Sequence, residues 1–485
     1  MEKSKLETSY ALKIFNRFAV FLLLLSLLMP AKHVFAQGAT PASGPVYVIQ
    51  PGDSLSSIAS RFGITLEELM TANNITDPNS ISAGAEVIIP GLEGMSGVLI
   101  TDLINYGDSL KSLSRRNQVD EKFLRKLNHI TSPSELYVGV GLILPQQENF
   151  KPLTTRITLG QGESLLEAAV LNNVTPWSLV DTNQLSGTWD GISGDILYSP
   201  TSSETTSGAS GLPAAFEEIS VAPVPMMQGG TTQITIRTQP GVTLGGYLVD
   251  KPLHFFELEN GKMAALQGIH AMLEPGPYPL RVEATLPDGT KQSYEQMVLI
   301  QSGNYPNDPL LLVEPATIDP AVTEPELKQI TELTSVITPT RYWNGIFQSP
   351  AYFTDCFTSR YGNRRTYIGS GTEEKFNSFH SGLDFCGGEG LAISAPADGV
   401  VIFAGPLTVR GNATIIDHGW GVYSGIWHQS SISVQAGQSV KKGDIIGIVG
   451  GTGRVTGAHL HWELWVNGVQ IDPMNWLYQA YPAVN

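Results

Sequence analysis

The chain has 485 residues, which is too long for one hydrophobic core and predicts three or four domains. Its formal net charge of −16 argues against nucleic-acid binding and against a basic patch that would hold the chain on a membrane surface. Apolar residues make up 42% of the chain, as in ordinary globular proteins, while 50 glycines and 31 prolines predict many turns and much β structure.

Residues 1–36 have the pattern of an export signal peptide. Basic residues precede an apolar run at residues 18–29, and Val34-Phe35-Ala36 stands where cleavage is expected. Because the run is short for a spanning helix, we expect a secreted protein of the cell envelope or cell wall, with no stable membrane span after cleavage. The alternative is an uncleaved anchor.

Three tandem copies of one unit follow the signal. The landmarks that recur every 55 residues are a turn motif and an asparagine, namely Gly52-Asp53-Ser54-Leu55, Gly107-Asp108-Ser109-Leu110 and Gly162-Glu163-Ser164-Leu165, with Asn73, Asn128 and Asn183. Each copy is predicted to run strand, helix, helix, strand, with the turn motif supplying the residue that caps the first helix.

Residues 46–91 resemble a LysM domain, through Tyr47-Val48, the turn motif, Asn73-Asn74 and Ile88-Ile89-Pro90. The resemblance implies two helices on a two-stranded sheet that binds N-acetylglucosamine-containing glycan, such as peptidoglycan. The glycan-binding residues that it implies lie in two loops, namely Gly52, Asp53, Ser54, Asn73, Asn74 and Ile81. Residues 99–146 and 156–200 are degenerate LysM-like copies, and packing spacers are the alternative interpretation of both.

The sequence of the middle of the chain shows no cluster of histidine, cysteine or carboxylate residues that would indicate a catalytic or metal site. Residues 201–215 have the composition of a flexible linker. Alternating apolar residues and paired turn signals predict an immunoglobulin-like β-sandwich at residues 216–302, acting as a spacer or as a wall of a binding site. Residues 303–350 form a proline-punctuated connector with one helix, announced by the apparent capping box Thr323-Glu324-Pro325-Glu326. Because it stands directly before the next domain, one hypothesis is that it covers the site of that domain as a latent propeptide.

Residues 351–485 are predicted to form a compact antiparallel β domain with a zinc site. In the strand that begins at His459, His459, His461 and Glu463 share one face. Upstream, His380 and Asp384 are four residues apart. His380, Asp384 and His461 together offer two nitrogens and one oxygen, which suits one zinc ion with a position left open for water.

This region resembles the lysostaphin/LytM-type zinc peptidoglycan endopeptidases. The matching motifs are His380-Ser381-Gly382-Leu383-Asp384, Trp427-His428 and His459-Leu460-His461. The resemblance implies that His380, Asp384 and His461 bind zinc and that His428 and His459 are catalytic. One of these two histidines can transfer a proton and the other can stabilise an oxyanion; the sequence does not decide which.

Cys356 and Cys386 are the only cysteines. In an exported protein such a pair predicts a disulfide. Two buried thiols, or a metal-binding role for Cys386 close to Asp384, are the alternatives.

The sequence is also compatible with other functions. The valine and glycine spacing at residues 434–443 also fits a lipoyl- or biotin-carrier barrel with Lys441 or Lys442 modified. The main interpretation is a secreted zinc endopeptidase that cuts peptidoglycan stem peptides or cross-bridges and is anchored by LysM domains. The alternatives are a non-catalytic wall-binding scaffold or activator of other wall hydrolases, and a protein that binds chitin-like glycan.

Overall fold

The computed structural model describes residues 44–92, 97–132, 135–146, 152–159, 162–192, 195–200, 212–213 and 215–483. The chain divides into two compact units, residues 1–99 and residues 100–485. The predicted export signal and most of the predicted linker lie outside the described residues. Within the described ranges, every helix is too short or too polar to cross a membrane.

The first LysM-like copy has the predicted element order. Its elements are β1 (Val46–Val48), α1 (Leu55–Phe62), α2 (Leu66–Ala72) and β2 (Glu86–Ile88), and the two strands pair antiparallel. Ser54 caps α1 by accepting the backbone N–H of Ser57, and Gly63 ends the helix with a φ of 67°. The apolar faces of both helices are buried, since Ile58 and Leu69 are fully enclosed.

The second and third copies repeat this order. Their elements are β3 (Val98–Leu103), α3 (Leu110–Asn117), α4 (Glu121–Leu127) and β4 (Gly141–Gln146), then β5 (Arg156–Thr158), α5 (Leu165–Leu171), α6 (Pro176–Thr182) and β6 (Ile196–Tyr198). The two copies contact each other, because the buried Arg115 donates to the carbonyls of Asn183 and Ile196.

The periodic asparagine closes each copy in the same way. The Asn73 carboxamide donates to the carbonyls of Leu69 and Ile88 and accepts the Ile88 N–H, at 2.8, 2.8 and 2.6 Å. Asn128 and Asn183 make the equivalent bonds in their own copies. The side chain therefore joins the end of the second helix to the last strand, which gives the 55-residue period a structural cause.

Residues 216–302 form two sheets over one core, in which neighbouring strands are antiparallel except for the parallel pair β15 and β8. One sheet has the order β11-β10-β14-β15-β8 and the other β12-β13-β9-β7. The strands are β7 (Phe216–Ala222), β8 (Met226–Met227), β9 (Thr231–Thr238), β10 (Thr243–Leu248), β11 (Lys251–Pro252), β12 (Phe256–Glu257), β13 (Met263–Gly268), β14 (Gly276–Thr285) and β15 (Lys291–Gln301). Ile234, Ile236, Leu280 and Val298 come from both sheets and are buried together, so the region is a β-sandwich.

The connector belongs to the fold of the last domain. It contains β16 (Leu311–Val313), a 3₁₀ turn at Pro315–Thr317 and α7 (Pro320–Thr334). Strand β16 pairs parallel with β18 (Arg364–Gly369), which pairs antiparallel with β19 (Lys375–Phe379). The connector therefore adds a strand to a sheet of the region that it precedes.

The expected capping box does not start the connector helix. Helix α7 begins at Pro320, and Asp319 is the capping residue, which accepts the N–H of Ala321. Glu326 is buried instead and accepts the N–H groups of Val409 and Arg410. The local pattern predicts that the Glu326 carboxylate caps the helix, but this carboxylate binds backbone groups that are distant in sequence.

The remaining strands form one large antiparallel sheet with the order β17-β20-β27-β24-β23-β22-β25, to which β21, β26 and β28 are paired. They are β17 (Phe357–Ser359), β20 (Gly382–Phe385), β21 (Ala392–Ser394), β22 (Gly399–Leu407), β23 (Gly411–Gly419), β24 (Val422–Ile432), β25 (Ser439–Val440), β26 (Ile445–Val449), β27 (Leu460–Val466) and β28 (Val469–Ile471), and helix α8 (Met474–Tyr478) follows. Leu383, Trp462 and Trp476 are buried at the centre of its core.

The sandwich and this last domain share that core. Leu266 and Ala271 of the sandwich pack into the same apolar cluster as Trp476. The indole of Trp476 also donates to the hydroxyl of Thr231 at 3.0 Å. The two regions are consequently packed as one body.

Asp472, which directly follows β28, is expected to make the stability of the protein depend on pH. Burial raises the pKa of this carboxyl from 3.8 to about 6. Because this pKa is higher in the folded state, the folded protein holds the Asp472 proton to a higher pH than the unfolded chain does. The free energy of unfolding therefore falls as pH rises from about 4 to about 6. Asp472→Asn, which retains an oxygen for the Met474 N–H, should melt higher than the wild type at pH of about 7.5 and alike near pH of about 4.

Calorimetry of the full chain over this pH range provides the measurement. Asp355→Asn, at an exposed position, removes the same charge and should show no such divergence. Equal melting of the wild type and Asp472→Asn at every pH would contradict the prediction.

Candidate metal centre

Strand pairing brings the predicted metal ligands together. Strands β20 and β27 are antiparallel neighbours, with Asp384 directly opposite His461. Directly opposed residues have their Cβ atoms about 5 Å apart on the same face of a sheet. His380 lies just before β20, and the glycine between the ligands is needed for close packing. A Cβ on Gly382 would lie 2.3 Å from the Trp462 carbonyl oxygen and 2.8 Å from His461 Nε2.

Three side chains converge on one point. His380 Nε2 and His461 Nδ1 lie 3.0 and 2.7 Å from Asp384 Oδ1, and 3.1 Å from each other. All three residues are buried, and their potential ligand atoms lie within 4.8 Å of one another. Two imidazole nitrogens and one carboxylate oxygen are a donor set that fits a zinc ion. The residues present therefore fit the predicted metal.

Burial and the charges of neighbouring groups both shift the pKa values of these three residues. Burial alone would raise the pKa of Asp384, but His380 and His461 outweigh it and hold that pKa well below the usual range. Burial lowers the pKa of His380. Burial also acts to lower the pKa of His461, yet Asp384 and Glu463 raise it. The carboxylate is thus kept ionised, as a metal ligand must be.

The outer nitrogens of both histidine ligands lie next to protein oxygens. His380 Nδ1 donates to the carbonyl of Arg360 at 2.7 Å, which leaves Nε2 as the lone-pair nitrogen. His461 Nε2 lies 3.3 Å from Glu463 Oε1. Despite its burial, Glu463 has a pKa lowered to about 2 by His461 and Arg410, and it accepts the Ser381 hydroxyl. Such outer contacts orient metal-binding imidazoles.

His428 and His459 face the same centre. Their Nδ1 atoms donate to the carbonyls of Thr452 and Gly457, both at 2.8 Å, so each ring keeps Nε2 for chemistry. The ring centroids are 5.1 Å apart, and His459 Nε2 lies 3.4 Å from Asp384 Oδ1. Burial, with His461 and His459 nearby, lowers the pKa of His428 to about 3.

A cleft of about 780 Å³ opens over these residues, and sequence reasoning missed most of its walls. The connector supplies Asp308, Leu311, Val313, Thr323 and Leu327, the sandwich supplies His270, strands of the last domain supply Arg365 and Phe376, and its loops supply Arg410 and Arg454. Their partners are distant in sequence, so no local pattern marks them. The predicted sandwich thus reaches the cleft through His270, which stacks edge-on against Phe379 at 5.0 Å.

The other histidine near the motifs lies outside the centre. His418 is fully enclosed, donates to the Asp398 carbonyl and accepts the Ser424 hydroxyl, and burial lowers its pKa to about 4. It therefore has a structural environment. Lys441, considered as a carrier residue, pairs with Asp398 at 2.8 Å.

Cys356 and Cys386 are joined as a disulfide with a Cα–Cα distance of 5.4 Å, within the usual range for such a bond. Because the Cys386 sulfur is engaged, it is not among the grouped metal donors, and the metal-binding alternative for this residue has no support in the structure.

The predicted glycan-binding residues of the first copy are mostly engaged within their own domain. Asp53 accepts the Tyr47 hydroxyl at 2.8 Å and pairs with Arg61 at 3.1 Å. Gly52 has a φ of 89°, Ser54 caps α1, and the Asn73 carboxamide is occupied by three backbone bonds. Asn74 is exposed and Ile81 is half-buried.

The equivalent turn of the second copy is packed against the sandwich. The hydroxyl of the buried Tyr106 lies 2.9 Å from the carbonyl oxygens of both Leu280 and Tyr294, and the Gly107 N–H donates to the side chain of Gln296. Asp108 is 5% exposed. This turn therefore acts in packing between domains, which favours the spacer interpretation for the second copy.

Comparison with known proteins agrees with the order of these domains. The family model for Peptidase family M23 matches residues 378–473, and that for the LysM domain matches residues 47–90 and 104–145. Residues 378–473 include all five histidine and aspartate residues of the candidate centre.

Several characterised proteins are similar to this last region. The DD-carboxypeptidase/endopeptidase Mpg of Neisseria meningitidis serogroup B is 43% identical over 96 residues, and the peptidoglycan DD-endopeptidase ShyA of Vibrio cholerae serotype O1 is 41% identical over 95. Each match covers 20% of this chain and 22% of the relative, so the chain spans about a fifth of the length of these curated relatives.

Among solved structures, the catalytic domain of lysostaphin from Staphylococcus simulans is 32% identical, with a TM-score of 0.20. That match covers 20% of this chain and 79% of the lysostaphin domain. The chain thus carries a domain of Peptidase family M23 in its C-terminal region, preceded by two LysM domains.

Proposed function

We propose that this protein is a zinc-dependent endopeptidase that cuts peptide bonds in the stem peptides or cross-bridges of peptidoglycan. The observation that carries the proposal is the buried set His380, Asp384 and His461, faced by two further histidines in an open cleft. Similarity to proteins named as DD-endopeptidases favours a bond between D-configured residues as the target.

In this proposal His380, Asp384 and His461 hold one zinc ion through Nε2, Oδ1 and Nδ1. A zinc ion so bound supplies a Lewis acid and a water of lowered pKa at neutral pH. The backbone carbonyls of Thr452 and Gly457 fix His428 and His459 through Nδ1, which leaves Nε2 of each ring as the nitrogen with the lone pair. One Nε2 accepts the proton of the attacking water, and the other, once protonated, donates to the oxygen that gains negative charge.

We further propose that the first LysM copy supplies most of the attachment to peptidoglycan glycan and that the protein acts outside the cytoplasm, in the cell envelope or wall. The domain match at residues 47–90 supports the first point, and the disulfide supports the second. The sandwich, which we interpret as immunoglobulin-like, serves as a wall of the cleft rather than as a spacer alone, since His270 reaches it.

Digestion of purified peptidoglycan by the full chain tests the proposal. New amino termini should appear in the released fragments by mass spectrometry, disappear when zinc is chelated and return when zinc is restored. Solubilised wall without new amino termini, or cleavage that withstands chelation, would contradict a zinc endopeptidase. A protein that sediments with the wall and binds zinc but cuts no bond would be the non-catalytic scaffold.

A further inference from the structure

Arg365 lies beside the metal ligands without being one of them. It is in β18, and its side chain is 12% exposed. One terminal nitrogen lies 3.1 Å from Asp384 Oδ2 and donates to Ser359 Oγ at 2.8 Å, while Nε donates to Asp308 Oδ2 at 3.0 Å. The guanidinium thus holds two carboxylates and one hydroxyl at once, a geometry that its planar fork suits.

These contacts divide the two oxygens of Asp384 between different partners. Oδ1 faces both histidine ligands, at 3.0 Å from His380 and 2.7 Å from His461. Oδ2 faces Arg365. With Oδ2 held by Arg365, Oδ1 is the oxygen that faces the two histidine ligands and that the carboxylate would offer to a metal. We propose that Arg365 and Asp308 form a positioning pair that fixes Asp384 as a single-oxygen ligand and sets the metal affinity of the centre.

The same arginine also touches the environment of a second ligand. Ser359 Oγ, which accepts from Arg365, lies 3.2 Å from His380 Nδ1. One guanidinium is therefore linked directly to Asp384 and through one hydroxyl to His380. Outer-contact residues of this kind orient metal ligands, and their loss typically costs about 10–100-fold in metal affinity.

Asp308 belongs to the connector and is itself held firmly. Its N–H donates to the Arg364 carbonyl at 2.9 Å, and its Oδ1 accepts the Asn363 carboxamide at 2.7 Å. Its remaining oxygen, Oδ2, is the one that accepts from Arg365. The connector therefore delivers a carboxylate to the centre from a position 76 residues before Asp384 in sequence.

The Asp308 carboxylate balances the positive charge that Arg365 brings close to Asp384. A lone arginine against Asp384 would neutralise the ligand and repel a divalent cation at short range. With Asp308 included, the two carboxylates and one guanidinium carry a net charge of −1. Asp308 thus lets Arg365 fix the geometry of Asp384 while the centre keeps the negative charge that attracts the metal.

The inference rests on the proposed function and is tested through zinc binding. The full-length wild type, Asp308→Asn, Arg365→Gln and Arg365→Lys are titrated against a chromophoric zinc chelator at neutral pH, with circular dichroism to confirm folding. Arg364→Gln is the matched control, because the adjacent Arg364 has an exposed side chain. Peptidoglycan cleavage at saturating zinc is measured in parallel.

Asp308→Asn and Arg365→Gln should each raise the zinc dissociation constant by about ten-fold or more, with Arg364→Gln unchanged. Arg365→Lys should recover part of the affinity, because an ammonium keeps the charge but cannot span all three partners. A change under about five-fold in both folded variants would overturn the positioning role and leave the proposed function standing. A wild type that binds no zinc would overturn both.

Discussion

His461→Ala is expected to lose both zinc binding and peptidoglycan cleavage, whereas His428→Ala and His459→Ala should lose cleavage and keep zinc. His461 supplies Nδ1 to the centre and contacts Asp384 at 2.7 Å, so its removal breaks the donor set. The other two rings lie beside that set without belonging to it. Removing a proton-transfer group typically costs about 10²–10⁴-fold in rate.

Two measurements separate these expectations. Zinc content after dialysis reports the metal, and release of new amino termini reports the chemistry. His129→Ala, on an exposed position of the second LysM copy, is the control and should match the wild type in both. If His428→Ala and His459→Ala cleave at the wild-type rate, their catalytic assignment is wrong even though the metal centre stands.

Glu326→Ala is expected to destabilise the last domain by about 3–5 kcal/mol, the cost of leaving a buried ion pair without one partner. Glu326 accepts the N–H groups of Val409 and Arg410 and pairs with the Arg410 guanidinium at 3.0 Å. Alanine would leave all three donors without this acceptor. Because Thr323 and Leu327 on the same helix line the cleft, cleavage should fall as the helix detaches.

Chemical denaturation of the full chain, followed by tryptophan fluorescence, measures the loss. Glu324→Ala is a close control, since it removes an exposed carboxylate two residues earlier on the same helix and should change stability by less than about 0.5 kcal/mol. Equal stability of the two variants would show that the connector does not depend on Glu326.

Local sequence patterns were sufficient for the repeated copies and for the grouping of His380, Asp384 and His461, whose metal binding stays a prediction. The 55-residue period followed from residues whose partners lie within the same copy, as the Asn73 bonds to Leu69 and Ile88 show. The alternation around His461 placed its side chain correctly on the face opposite Trp462, because strand geometry has a period of two.

The parts that sequence reasoning missed depend on contacts between distant segments. Asp308 and Arg365 are 57 residues apart, and Glu326 and Arg410 are 84 apart. Neither pair leaves a periodic signal. The apparent capping box at Thr323 and Glu326 shows the converse error, because a valid local pattern was overridden when the carboxylate found buried donors elsewhere.

The connector strand β16 has a consequence for moving this peptidase between proteins. The family match begins at residue 378, and a designer would naturally cut the chain near residue 350. Such a cut would remove β16 from its place beside β18, the carboxylate of Asp308 from Arg365, and that of Glu326 from Arg410. The transplantable unit must therefore include the connector. Because Leu266 and Ala271 of the sandwich pack into the same core and His270 lines the cleft, it starts at about residue 216, and a chimera built from it should retain a cleft that a shorter graft would lose.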